Sequence, residues 1–251
     1  MANGTLELDG ISVRYRLAKQ RLPSFKDYAL HWMRGALSYD DLWAVRDVSF
    51  AMQRGESVGI VGRNGAGKST LLKVISGVLE PTAGRLYIAG RVSPMLALGI
   101  GFDFELTGQE NMILSGLLMG RSRREIDEKA AEIVDFSGLG DFIHTPIRNY
   151  SSGMVSRLGF AIVTAWRPDV LILDEVLAVG DTAFLRKCTE RLNALRSTGT
   201  TLLLVAHQVD AILQHCDRCL WLDQGRLRAD GEPKDVLQRY AEADTQTTIR
   251  S

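Results

Sequence analysis

The stretch GRNGAGKST, residues 62–70, restricts the fold of this chain more than any other part of its sequence. It has the spacing G-x-x-x-x-G-K-[S/T], and it lies between the apolar run ESVGIVG and the helically spaced run KSTLLKVISGVLEP. Glycines let successive backbone N–H groups point inward around phosphate oxygens, and a helix that starts there adds the positive end of its dipole. The stretch therefore predicts a strand–loop–helix unit that binds phosphate, and a plain glycine turn is the weaker interpretation.

The lysine and the hydroxyl residue that end this loop have separate predicted roles. The ammonium group of Lys68 is expected to contact the β- and γ-phosphates of a nucleoside triphosphate during catalysis, and the hydroxyl group of Ser69 is expected to ligate Mg²⁺. The predicted nucleotide contacts of the loop are Gly62, Asn64, Gly65, Ala66, Gly67, Lys68, Ser69 and Thr70.

Three further residues lie at the ends of apolar runs. In VLILDE, Asp174 is placed to hold Mg²⁺ through water, and Glu175 is placed to polarise a water molecule for in-line attack on the γ-phosphate. His207 ends the run TLLLVAH, and at the carboxyl edge of a parallel sheet it is expected to contact the γ-phosphate. The alternatives are solvated loop acids and a structural histidine. The phosphate loop upstream favours the catalytic interpretation.

The periodicity of the chain predicts an α/β sheet with helices on both faces. The runs DVLILDE and TTLLLVAH are apolar without alternation, as is typical of parallel strands covered on both faces, and CLWLDQGRLRADG indicates a β-hairpin. Between the two α/β parts, Thr107 with Glu110 and Ser122 with Glu125 have the spacing of capping boxes, which predicts a helical insertion. The predicted parts of one domain, 1–251, are an α/β core (1–98 and 154–232), a helical subdomain (99–153), an inserted helix (20–38) and a C-terminal helix and tail (233–251).

The inserted helix near the N-terminus contains LPSFKDYALHWMRGAL, in which Phe25, Tyr28 and Trp32 share one face among several basic residues. Two interpretations have equal weight. The aromatic face packs on the core of its own domain, or the helix lies at a membrane interface or on a membrane-embedded partner.

Composition excludes several classes of protein. The chain has 30 basic and 30 acidic residues, so its net charge does not indicate a nucleic-acid partner or a broad membrane-surface field. No secretory signal and no apolar run long enough to span a bilayer are present, so a soluble chain is expected.

The three cysteines argue for a reducing compartment. Cys216 and Cys219 lack the second pair that a zinc site needs, so we expect half-buried thiols.

The stretch YSSGM, residues 150–154, precedes the helical run MVSRLGFAIVTAW. Ser151 and Ser152 bring hydroxyl groups and free N–H groups to a helix start, and Gly153 allows a ligand to approach the backbone closely. These features suit a γ-phosphate. An ordinary serine N-cap is the alternative.

Taken in chain order, these stretches resemble the ATP-binding subunits of ABC transporters. YSSGM stands in the place of the family signature LSGGQ, LAVGD in the place of its D-loop, and His207 in the place of its switch histidine. The most similar branch exports O-antigen, capsular polysaccharide or teichoic acid. Its features here are YSSGM itself, LALGIGFDFELTGQEN, and the insertion before LWAVRDVSF.

The resemblance implies a P-loop NTPase (RecA-like) α/β fold with a mainly parallel sheet, an N-terminal antiparallel β portion and an inserted α-helical subdomain. It implies that a homodimer sandwiches two ATP molecules with Mg²⁺, the signature of one subunit covering the nucleotide of the other. It further implies that Tyr15 stacks on adenine, that Asp181 contacts the nucleotide, and that residues 20–38 form a gate helix.

The implied partners are a multispanning membrane channel subunit, in two copies, and a lipid-linked glycan as the exported substrate, with the ATPase bound at the cytoplasmic face of the inner membrane. No nucleic acid is expected. The alternatives are an ABC ATPase that exports a lipid or drug, and a soluble ABC-type ATPase without a transport role.

Two departures from the family pattern stand out. Leu98 and Gly99 occupy the entrance to the helical insertion, where the family has a Mg²⁺-contacting glutamine, and Gln109 lies too far along to replace it. In the signature, Ser152 replaces a glycine and Met154 replaces a glutamine. Since methionine cannot hydrogen-bond as glutamine does, Met154 is expected to pack or to face the partner subunit.

Overall fold

The computed structural model of the protein describes residues 5–18, 39–95, 101–174, 181–206 and 209–248. A three-stranded antiparallel sheet contains β1 (Leu6–Ala18), β2 (Tyr39–Met52) and β4 (Ala83–Ile88), in the order β2-β1-β4. This sheet confirms the predicted antiparallel portion. Strands β1 and β2 stay paired out to Ala18 and Tyr39. The predicted gate helix, residues 20–38, lies outside the described residues.

A six-stranded sheet forms the centre of the fold. Its order is β5 (Val92–Met95), β6 (Val170–Asp174), β7 (Thr201–Val205), β3 (Ser57–Val61), β8 (Arg218–Asp223) and β9 (Arg226–Gly231). The first five strands are parallel, and β9 returns antiparallel to β8. The mainly parallel sheet and the C-terminal hairpin are as predicted.

The central strands are covered on both faces. Val170 and Ile172 of β6 face a core shared with the antiparallel sheet and helix α1 (Lys68–Ile75). Leu171 and Leu173 face the opposite core, which is built with the helices behind the sheet. Because alternate side chains both meet apolar partners, the strand sequence shows no polar alternation.

The helical insertion contains α2 (Gly108–Leu118), α3 (Arg123–Ser137) and two short 3₁₀ helices (Gly140–His144 and Ile147–Asn149). Both predicted capping boxes are present. Hydrogen bonds from the backbone and then from the hydroxyl group of Thr107 lower the pKa of Glu110. This local chemistry fixes where each helix starts.

Helix α4 (Ser152–Ala165) packs in two places. Phe160 and Val163 enter the core behind the central sheet, whereas Leu158 and Ile162 pack against the helical insertion. The helix thus joins the two predicted parts, and the boundary at residues 153–154 stays a prediction. Helices α5 (Thr182–Ser197), α6 (Val209–His215) and α7 (Pro233–Thr248) complete the described fold.

Two cysteines are more buried than predicted. Cys216 and Cys219 are free thiols with exposed fractions of 8% and 0%, so they are buried rather than half-buried, and Cys188 is also a buried free thiol, 2% exposed. Apolar surroundings disfavour a thiolate, and burial raises the pKa of each thiol to about 12.

Among the helices that the structure describes, none is long and apolar enough to cross a membrane.

Candidate nucleotide-binding site

The loop between β3 and α1 is pressed between two strands. A Cβ atom on Gly67 would lie 2.3 Å from the carbonyl oxygen of Ala44 in β2, and one on Gly62 would lie 2.2 Å from that of Leu222 in β8. Gly67 also has a φ of 103°, in the left-handed region, at the N-cap of α1. Only glycine satisfies both constraints at residue 67.

Lys68 is folded back over this loop. Its side chain is buried, and its Nζ donates hydrogen bonds to the carbonyl oxygens of Gly62 at 2.6 Å and Arg63 at 3.1 Å. The ammonium group is therefore held beside the residues that begin the loop, as the motif requires of a lysine that neutralises phosphate charge.

A cavity of about 480 Å³ opens over the loop. Its volume is in the range of small-molecule sites. Eight of its lining residues were predicted from sequence: Tyr15, Asn64, Gly65, Ala66, Gly67, Lys68, Ser69 and Thr70. The structure thus brings Tyr15, from β1, to the same cavity as the phosphate loop. Gly62 shapes the loop beneath this cavity rather than lining it.

Asp174 lies at the same edge of the central sheet as the loop. Val205 at the end of β7 pairs with Ile60 of β3 on one side and with Asp174 of β6 on the other. The three parallel strands therefore end together, and their carboxyl ends are where ligands bind in open α/β sheets. Asp174 is 8% exposed.

The start of helix α4 has the geometry of a capped helix N-terminus. Ser151 is the N-cap, and its hydroxyl oxygen accepts a hydrogen bond from the N–H of Met154 at 3.2 Å. The first N–H group that donates within the helix is that of Val155, to the carbonyl oxygen of Ser151. The N–H groups of Ser152 and Gly153 come before it and have no intrahelical acceptor, so they are available to a ligand. Met154 packs against the helical insertion. None of these residues lines the cavity over the phosphate loop of the same chain.

Residues 45–178, which include the phosphate loop, YSSGM and Asp174, match the protein family described as "ABC transporter". The chain belongs to the ABC transporter family. Its fold is similar to that of the ATP-binding cassette MJ0796 in a dimeric post-hydrolysis structure bound to ADP and Pi. The TM-score is 0.74 at 20% identity, and the match covers 91% of this chain and 98% of that one.

Several curated ABC proteins are similar over most of this chain. It is 50% identical over 197 residues to the ABC transporter protein AbcA of Aeromonas salmonicida, a match of 78% of this chain and 64% of that protein. It is 40% identical over 240 residues to an O-antigen export system ATP-binding protein, RfbB, of Klebsiella pneumoniae, covering 95% of this chain and 98% of that protein. It is 40% identical over 232 residues to the teichoic acids export ATP-binding protein TagH of Listeria innocua, covering 92% and 68%. The chain therefore spans less than two thirds of the first relative's length.

Asp181 of this ABC protein has a well-defined structural role. Its Oδ1 accepts a hydrogen bond from the N–H of Phe184 at 2.8 Å, which makes it the N-cap of α5, and its Oδ2 accepts one from Nη2 of Arg157 at 2.5 Å. The hydrogen bond from Phe184, and then that from Arg157, lowers the pKa of this carboxyl. Its contact with nucleotide stays a prediction.

Two of the predicted catalytic residues of this ABC protein, Glu175 and His207, lie outside the described residues, as do Leu98 and Gly99. Sequence reasoning missed three lining residues of the cavity: Leu42, Trp43 and Ala44. The available signal was the aromatic residue in LWAVRDVSF, but its relevance depends on the pairing of β2 with β1.

Proposed function

We propose that this chain is the ATP-hydrolysing subunit of an ABC exporter that drives a lipid-linked polysaccharide across the cytoplasmic membrane. One observation carries the proposal: the chain is 40% identical to an O-antigen export ATP-binding protein over 98% of that protein. In this chain, Lys68 lies over the glycine loop, and a cavity large enough for a nucleotide opens above it. The teichoic acids relative supports export of a glycan polymer rather than of a small lipid or drug.

The proposed catalytic unit is a head-to-tail homodimer. Ser151, Ser152 and Gly153 form a phosphate-suited helix start that does not line the chain's own cavity, and the structural neighbour MJ0796 is dimeric. A second copy would place this helix start over the first copy's nucleotide. The N–H groups of Ser152 and Gly153 would then donate to the γ-phosphate, with the helix dipole adding to the attraction.

The donor set of the site fits Mg²⁺. Ser69 is exposed and its hydroxyl group lines the cavity. The carboxylate of Asp174 lies at the edge of the central sheet where the phosphate loop begins. Hydroxyl and carboxylate oxygens are ligands that suit Mg²⁺. When bound, the ion would neutralise charge on the β- and γ-phosphates. In the same proposal Glu175 orients the attacking water, His207 contacts the γ-phosphate, and Asp181 contributes from the D-loop position.

The proposed partner is a membrane channel subunit, in two copies, with the ATPase dimer bound peripherally at the cytoplasmic face of the inner membrane. The names of the exporter relatives support this arrangement. The gate-helix role of residues 20–38 belongs to the same proposal.

The test compares two lysines of helix α1. Lys68 reaches the loop carbonyl groups, whereas Lys73 is exposed in the last turn of the helix. We expect Lys68→Ala to lower ATP turnover at least about 100-fold, since a preorganised charge at the transferred phosphate is lost, and Lys73→Gln to leave it unchanged. In a strain that lacks the gene, Lys73→Gln should restore surface glycan and Lys68→Ala should not. Surface glycan that is unaffected by deletion of the gene would contradict the export function.

A further inference from the structure

Strand β2 shifts its register against β1 beside the nucleotide cavity. Val13 pairs with Val45, but the next residue of β1, Arg14, pairs with Trp43. Ala44 is thereby inserted relative to β1, and its carbonyl oxygen is the atom that Gly67 approaches. A bulge of this kind re-aims the neighbouring side chain, and bulges are frequent next to functional sites.

The bulge separates Trp43 from the core. Val45 is fully buried in the core beneath the antiparallel sheet, whereas Trp43 is half-buried and lines the cavity. Within the described ranges of the chain, none of the three apolar cores includes Trp43, while Tyr15 packs against the first of them. Core packing among these residues therefore does not account for a large aromatic side chain at position 43.

Two arginines hold the indole ring. The guanidinium carbon of Arg14 lies 5.5 Å and that of Arg46 lies 5.4 Å from the centroid of the Trp43 ring. Arg14 is itself fixed, because its Nη1 lies 3.0 Å from Oδ2 of Asp41. Cations at this distance are attracted to an aromatic ring, so the orientation of the side chain is set before a ligand binds.

We propose that Trp43 forms a second aromatic wall of the nucleotide cavity, beside Tyr15, and contacts the nucleoside part of the bound nucleotide. The inference rests on the proposed function in one respect, that this cavity binds ATP. Loop residues 64–70 supply the part of the lining that suits phosphates, and β1 and β2 supply Tyr15, Leu42 and Trp43 to the same cavity. A flat nucleobase and ribose suit the apolar, aromatic part of this lining.

The experiment separates the nucleoside from the phosphates by using two ligands. ATP and inorganic tripolyphosphate, each with Mg²⁺, are titrated into the full-length protein and its Trp43→Ala and Trp43→Phe variants. An aromatic side chain in contact with a base commonly contributes about tenfold or more to affinity. We expect Trp43→Ala to weaken ATP binding about tenfold and to change tripolyphosphate binding less than about twofold. Trp43→Phe should recover most of the loss.

A matched control is Trp166→Phe, since Trp166 contacts Arg121 in the helical part of the molecule and does not line the cavity. It should leave both affinities unchanged. Equal weakening of both ligands by Trp43→Ala would show that the residue only supports the loop, and no weakening of either would show that it makes no contact; each overturns the inference. A wild-type protein that binds neither ligand would overturn the proposed function and this inference together.

Discussion

Arg157 of helix α4 donates a hydrogen bond of 2.5 Å to Asp181, the N-cap of helix α5. The guanidinium group of Arg157 also lies 5.1 Å from the ring centroid of Phe184 in the first turn of α5. The helix that begins in the signature stretch YSSGM is therefore tied directly to the residue that ends LAVGD. The first helix and the N-cap of the second thus form one connected unit within the chain.

Asp181→Asn tests the charge in this contact. Asparagine retains the helix cap but removes the negative charge that faces Arg157. Because the pKa of Asp181 is lowered in the folded protein, its charge stabilises the fold above the unfolded-state pKa of an aspartate. That contribution disappears as the pH falls through the folded-state pKa. Urea unfolding should show the wild type more stable than Asp181→Asn at pH 7, by a difference that shrinks as the pH falls below about 4. A difference that stays constant from pH 7 to pH 3 would contradict this account.

Alanine substitution of two glycines of the phosphate loop should lower the free energy of unfolding by different amounts. Gly67→Ala combines a positive φ with a Cβ only 2.3 Å from Ala44 O, whereas Gly65→Ala meets nothing within 4 Å and has only the strain of its φ of 79°. We expect losses in the free energy of unfolding of about 2–4 kcal/mol for Gly67→Ala and about 1 kcal/mol for Gly65→Ala. ATP binding should be lost in the first variant. Equal stability of the two variants would show that the approach of Ala44 to the loop is not a constraint.

Glu175→Gln tests the proposed role of Glu175 in activating water. The amide keeps the size of the side chain but cannot accept a proton, so ATP should still bind while turnover falls at least about 100-fold. ATP should then accumulate in a closed dimer, detectable by size-exclusion chromatography with light scattering. Glu80→Gln, an exposed acid after helix α1, is the control and should turn over normally. Turnover of Glu175→Gln close to that of the wild type would exclude Glu175 as the base.

The cysteines should be unreactive in the folded protein. Their pKa values of about 12 leave almost no thiolate at pH 8, and all three are buried. We expect iodoacetamide to modify them at least about 100-fold more slowly in buffer than in guanidinium chloride, where all three should react. Rapid modification of one thiol under native conditions would show that its segment opens locally.

The features that the sequence predicted well depend on residues close together in the chain. The capping boxes at Thr107 and Ser122 need only four neighbouring residues, and the phosphate-loop pattern needs eight. The strand β6 was recognisable because all five of its residues are buried and the first four are apolar. Such patterns reflect local backbone chemistry and burial, so they predicted the α/β fold, the helical insertion and the loop residues that line the cavity.

Other features were decided by register and packing. Trp43 lines the cavity because a one-residue shift pairs it with Arg14, which lies on another strand. Arg157 meets Asp181 because α4 and α5 pack side by side against the central sheet. A local pattern does not specify which residue of one strand faces which residue of another, since that choice is made by the packing of the whole core. The amino-acid sequence by itself determined that this protein has a phosphate-binding α/β fold, and the tertiary structure alone decided which side chains complete the walls of its site.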